Sequence, residues 1–252
     1  MTLIPVLLYH SVTSDPARRG DRFTVSYADF AMHADELRAS GRTPLCMTEL
    51  AEALRGERPL PERPVAVTFD DGYADTYDAV QALLARGISA TVYATAGEIA
   101  TPSRLSAARL HELAHTPSVE IGAHSFNRRR LDELDAYTPC FEARASKLRL
   151  ETLTQIEIRS FAYPHGAYDE RARQAVIDAG FRSAAAVKNA LSHSADDVFA
   201  IARWTVTAGT PASRIAQVLE GVGVPIAWAG ERFRTRAYRF ARRHRRLLGN
   251  PQ

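Results

Sequence analysis

With 252 residues, 46% of them hydrophobic and 24% charged, the chain has the make-up of one large globular domain, which excludes a disordered or fibrous protein. Its net charge of +3 hides an asymmetry: from Glu231 onward eight arginines stand against one acid. The body before that point is therefore mildly acidic, which argues against a general nucleic-acid-binding surface on it.

Along the chain, residues 4–9 form the first apolar run. It is far shorter than the roughly 20 residues a spanning helix needs and lacks the parts of a secretion signal, so the expectation is a cytoplasmic protein. A helix is predicted over 27–39, before Gly41, and Thr48 is the expected cap of a second over 49–55. A strand over 65–69 leads to a helix over 74–86 that stops at Gly87. Strands over 90–95 and 119–123 follow, then a long helix over 135–155 whose start Pro139 should break. Next come a strand over 160–163, a helix over 169–179 ending at Gly180, and strands over 182–187 and 201–206. Pro211 fits the first position of a helix over 213–220. Cys46 and Cys140 lie far apart without metal-site spacing and read as reduced, structural thiols.

Seven apolar runs alternating with helices are the signature of repeated βα units. Spacing alone leaves a barrel and an open doubly wound sheet both open. The domain reading is a barrel over 1–230 and an arginine-rich tail over 231–252. The tail mixes arginines with Phe233, Tyr238, Phe240 and Leu247. It reads as a helix that lies on an anionic membrane surface or grips phosphates, or as a basic helix packed on the barrel.

His10, Asp70, Asp71 and His124 each directly follow an apolar run, where α/β folds place ligands and chemistry. In Thr68-Phe69-Asp70-Asp71-Gly72-Tyr73 two adjacent carboxylates at a strand end repel each other unless a cation compensates. One can then hold a metal while the other acts as a base; the alternative is plain capping of a helix N-terminus. His124, in Glu120-Ile121-Gly122-Ala123-His124-Ser125, is either a ligand to the same ion or simply hydrogen-bonded. Arg159-Ser160-Phe161-Ala162-Tyr163-Pro164-His165-Gly166 pairs an arginine entering a strand with a turn leaving it. Such an arginine can orient a carboxylate through its planar fork of donors.

These three segments, in this order and spacing, together with Val6-Leu7-Leu8-Tyr9-His10-Ser11-Val12, resemble the polysaccharide deacetylase family. This is the NodB-homology domain of carbohydrate esterase family four, and the resemblance spans roughly residues 4–206. It implies a distorted (β/α)7 barrel and a hydrolase that removes the acetyl group from an N-acetylamino sugar, in a glycan or glycolipid, with a divalent metal, most often zinc. By the same resemblance Asp70 is the general base, Arg159 its positioning partner, and Asp71 and His124 metal ligands. Tyr163, Pro164, His165 and His10 would then face substrate. Two departures stand out. The second metal-ligating histidine of the pattern is replaced by Arg128, for which Asn127, His10 or water are candidate substitutes. No histidine between Trp204 and the tail can supply the late general acid, leaving His193 and His165 as weak stand-ins. A silent barrel that binds carbohydrate or scaffolds a membrane-associated glycan pathway, and a non-sugar amide hydrolase, are the competing expectations.

Overall fold

The structure is a computed structural model that describes residues 1–15, 21–135 and 137–228. The boundary expected at 230, the arginine-rich tail and its membrane contact lie outside the described residues. Among the described residues no helix is long and apolar enough to cross a membrane.

The chain opens with β1 (Leu3–Ile4) and β2 (Val6–Tyr9), one apolar run split at Pro5, which has no amide hydrogen to give a ladder. β3 (Ser11–Thr13) and β4 (Thr24–Ser26) pair beside it and lead into α1 (Tyr27–Ala39). β5 (Thr43–Pro44), α2 (Met47–Leu54), β6 (Pro64–Phe69), α3 (Thr76–Leu84) and β7 (Ala90–Ala94) follow. Then come α4 (Ala107–Ala114), β8 (Val119–Ala123), α5 (Thr138–Thr154), β9 (Ser160–Ala162), α6 (Glu170–Asp178) and β10 (Ser183–Ala185). β11 (Ser192–His193), β12 (Trp204–Thr205) and α7 (Ala212–Leu219) complete the described elements.

Seven parallel strands run in the order β10-β9-β8-β7-β6-β2-β12. The segment that ends in β12 closes the ring. Ile201 bridges Ala185 of β10, and three residues later Trp204 pairs with Leu7 of β2. One short stretch thus touches both free edges of the sheet, and the fold is the distorted (β/α)7 barrel. The ladder positions alternate strictly. Val65, Val67 and Phe69 pack outward in the large core with Phe30 of α1 and Val80 of α3. Ala66 packs in the interior with Ile4, Val6, Tyr93, Ala162, Ala185 and Ile201. Met47 and Leu50 of α2 belong to that interior cluster and plug the end where the strands begin.

Local chemistry sets the helix ends. Ser26 caps α1 by accepting from Asp29 N at 3.0 Å. Thr48 is not the cap of α2: Cys46 holds that place, and Glu49 reaches back to its amide at 2.9 Å. Pro139 does not break α5 but sits in its first turn, where a missing amide hydrogen costs nothing. α4 was not expected, because its eight residues carry only two buried apolar side chains, Leu110 and Leu113.

Candidate active site

Where the strands end, parity decides which side chains face the barrel axis. Thr68 and Asp70 continue the inward row of Ala66, as Gly122 and His124 continue that of Glu120. After Phe69 the chain turns through two left-handed residues, Asp71 at φ 74° and Gly72 at φ 69°. Glycine has no steric objection, and aspartate is among the residues that tolerate this region. The turn brings Asp71 beside Asp70 with both carboxylates buried. Gly122 leaves room below His124, since a Cβ there would stand 2.5 Å from the Tyr93 ring.

Asp70 is gripped by Arg203, a fully buried arginine inside the barrel seam. Nη1 donates to Oδ1 at 2.6 Å and Nη2 to Oδ2 at 2.9 Å, a bidentate fork. Nη1 also reaches Thr68 Oγ1 at 3.3 Å and Nε the Ala186 carbonyl at 3.4 Å. Burial alone would raise the Asp70 carboxyl; the Arg203 guanidinium, helped by His124, overrides it and holds the group down at about 2. Asp71 goes the other way: burial pushes it up to about 6 against the pull of Arg128, and Asp70 adds to the push.

His124 donates from Nδ1 to the Ala162 carbonyl at 3.0 Å, which leaves Nε2 as a bare lone pair. That lone pair faces Asp71 Oδ1 at 3.6 Å and Asp70 Oδ2 at 3.8 Å. Burial drives the imidazole down to about 3, so it is neutral at physiological pH. Arg128 completes the group. Its Nε stands 2.5 Å from Asp71 Oδ1, a close charge contact without hydrogen-bond alignment, and neither Asp71 oxygen is hydrogen-bonded. The turn carrying Arg128 is itself fixed. Ser125 and Arg128 are left-handed, Ser125 Oγ accepts from Arg128 N at 2.9 Å, and buried Glu142 accepts from Phe126 N and Asn127 N.

A cleft of about 440 Å³ opens over this group, lined by His10, Phe23, Trp204, Asn189 and His165 among others. Phe23 and Trp204 offer flat apolar faces suited to a sugar ring, and His10 and His165 offer imidazoles. Three of the nine non-glycine residues at positive φ among the described residues, Arg128, His165 and Asn189, line this cleft, and two more, Asp71 and Ser125, each directly follow a residue that lines it, Asp70 and His124. Such concentrated backbone strain marks functional sites.

The structure thus brings Asp70, Asp71, His124, His10 and His165 together and leaves two expected residues out. Arg159 does not position Asp70. It precedes β9, at the opposite end of the barrel, is half exposed, and donates to Glu157 at 2.7 Å. Tyr163 does not line the groove. One step beyond inward Ala162, it points outward, stacks on Tyr168 at 4.7 Å and donates to the Phe199 carbonyl. Pro164 is buried at the same turn, outside the cleft lining. Two substitutes are engaged elsewhere: Asn127 donates from Nδ2 to Glu142 at 2.9 Å and is absent from the cleft lining, and His193 pairs with β1 at the far end. The residue missed is Arg203. Its signal was a charged side chain inside the apolar run 201–206, which must find a buried partner.

Zinc is what the resemblance implies here. Asp71 and His124 offer two converging donors, but the third position holds a guanidinium, which cannot ligate. Among the described residues no group of three His, Cys, Asp or Glu side chains can hold an ion. In this arrangement the residues present do not fit a zinc site.

Fold and site together define a class: a (β/α) barrel with acid–base groups at the carboxyl ends of its strands beneath an aromatic cleft. Comparison with known proteins narrows it. The polysaccharide deacetylase family profile matches residues 57–184. The Bacillus subtilis polysaccharide deacetylase homologue YxkH is 25% identical over 87% of this chain and 77% of its own length. The poly-β-1,6-N-acetyl-D-glucosamine N-deacetylase of Escherichia coli is 31% identical, over 36% of this chain and 16% of that protein. Among solved structures, the Streptococcus pyogenes deacetylase PplD in complex with acetate superposes with a TM-score of 0.79 at 19% identity. It covers 86% of this chain and 98% of that one. IcaB from Ammonifex degensii gives 0.75 at 22% identity, covering 87% and 98%. The chain belongs to the polysaccharide deacetylase family and is, by class, a carbohydrate deacetylase acting on amide bonds.

Proposed function

We propose that the chain hydrolyses the N-acetyl amide of an N-acetylamino sugar within a glycan or glycolipid. The observation that carries this reading is Asp70, a buried carboxylate kept anionic by a bidentate arginine and directed into a cleft with aromatic walls. Asp70 accepts the proton of the attacking water, and Thr68 and Arg203 fix its orientation. The Arg203 fork makes Asp70 a weak base, so a cation beside the attacking water, stabilising the negative charge that develops, favours the step. Arg128, which lines the cleft, is the cation this chain supplies. The proton that Asp70 takes from the water is the one the departing amine needs; burial lowers the His10 and His165 imidazoles, so each is neutral and can relay that proton to the amine. Family membership and the poly-N-acetylglucosamine deacetylase among the relatives favour an N-acetylhexosamine polymer as substrate.

The test is acetate release from a panel of N-acetylhexosamine oligomers. Asp70→Asn should lower it at least a hundredfold, with His10→Asn and His165→Asn assayed separately to locate the proton donor. No acetate from any oligomer, with or without added divalent metal, would sink the reading. Arg128 favours one alternative, a barrel that binds the same sugar without cutting it. Calorimetric binding of an oligomer that is recovered intact would establish that alternative.

A further inference from the structure

We infer that Arg128 is a built-in counter-cation that takes the place of a divalent metal, so that this site excludes zinc rather than lacking it by circumstance. The inference rests on the site as described but not on hydrolysis. It is read by metal stoichiometry, so its failure and the failure of the proposed reaction are told apart.

Two carboxylates face one imidazole: Asp70 Oδ2 and Asp71 Oδ1 lie 3.8 and 3.6 Å from His124 Nε2. With His124 Nδ1–H committed to the Ala162 carbonyl, no proton lies between them, and acceptors facing acceptors in a buried site demand positive charge. Arg128 provides it, with Nε 2.5 Å from Asp71 Oδ1. The accounts then close. Two carboxylates face two guanidiniums, Arg203 on Asp70 and Arg128 on Asp71, around a neutral imidazole.

A divalent ion would upset that balance. A zinc ion about 2 Å from Asp71 Oδ1 could be no more than about 4.5 Å from a guanidinium nitrogen that stands 2.5 Å from the same oxygen. The cluster, whose carboxylates and imidazole are buried, would then carry two uncompensated positive charges. Nor is Arg128 free to leave cheaply. Its backbone is left-handed, and Ser125 Oγ, beside the Glu142-clamped amides, holds the turn. Its departure would strand Asp71, neither of whose oxygens has a hydrogen bond.

The experiment is equilibrium dialysis of the full chain against micromolar zinc chloride, followed by elemental analysis. Wild type should retain less than about a tenth of an ion per chain, and Arg128→His should raise occupancy at least tenfold, because it replaces the cation by a third ligand. Histidine tolerates the left-handed backbone at this position, so the variant is expected to fold. Added zinc should raise the thermal midpoint of Arg128→His and leave that of wild type unmoved. A second arm avoids reliance on one variant: Arg128→Met should lower the midpoint by stranding Asp71, and Asp71→Asn on that background should recover part of the loss. One zinc per wild-type chain, abolished by Asp71→Asn, would overturn the inference. So would an Arg128→Met protein as stable as wild type.

Discussion

In the proposed reaction Asp70 is useful only as an anion, and its burial works against that state. Arg203 resolves the conflict with two parallel hydrogen bonds at 2.6 and 2.9 Å. Replacing it by methionine keeps much of the bulk and removes the fork, leaving a buried charge unpaired. The expected cost is about 3–5 kcal/mol of stability together with loss of acetate release; Arg203→Lys should recover part of the stability and little of the rate, since an ammonium cannot grip bidentately. Arg159→Gln, by contrast, should leave acetate release within about twofold, because an exposed ion pair at the far end contributes at most about 1 kcal/mol. Assaying both variants side by side decides between the two arginines. A large rate loss in Arg159→Gln with Arg203→Met still active would reverse the assignment.

At the scale of elements, regular periodicity was legible and parity was the information left unused. α1 begins and ends where its pattern and Ser26 place it, and β8 occupies the expected 119–123, since each is a long or cleanly bounded apolar pattern. Asp70 and His124 were found because they follow parallel strands, whose ends all lie on one side. Arg159 precedes its strand, so the same rule puts it on the other side. Tyr163 has the parity of Phe161 and faces the helices. Arg203 escaped because a charge inside an apolar run was read as part of the strand, and its partner is 133 residues away in sequence. The docking of α1 shows another contact no periodicity reveals. His33, wholly buried, spans the gap from Tyr9 Oη at 3.2 Å to the Thr210 carbonyl at 2.8 Å. Burial lowers its pKa below the ordinary 6.5, opposed by the Thr210 bond and Asp29. A lowered folded value means that the stability it contributes is complete above about 6.5 and is lost as the pH falls below it, at up to about 1.4 kcal/mol per unit. His33→Gln should therefore be less stable than wild type at pH 7.5 and lose less on acidification to pH 5. Urea unfolding at the two pH values measures this, and equal slopes for both proteins would refute it.

Across the whole molecule the two ends of the barrel divide the labour, as parallel barrels do. The carboxyl ends of the strands carry strained turns, a cleft and the paired charges. The amino ends carry Glu120, a half-buried carboxylate on the same inward row as His124, reached from three elements. Thr48 of α2 donates to it from N at 2.8 Å and from Oγ1 at 2.7 Å, Thr91 of β7 donates at 3.4 Å, and Ser160 of β9 donates as well. Glu120 therefore ties the α2 plug to three neighbouring strands and touches nothing in the cleft. If that division holds, stability and catalysis are separable by position along a single strand, since Glu120 and His124 are two pleat repeats apart on β8 and its exit. Glu120→Gln keeps the shape but turns a charged acceptor into an amide whose NH2 must face donors. It should cost about 2–3 kcal/mol and leave kcat/KM per folded molecule unchanged. Trp204→Ala, on the cleft wall, should raise KM for the oligomer with little effect on the thermal midpoint. Glu120→Gln with a normal midpoint and a depressed kcat/KM would show instead that the far end of the barrel is coupled to the chemistry.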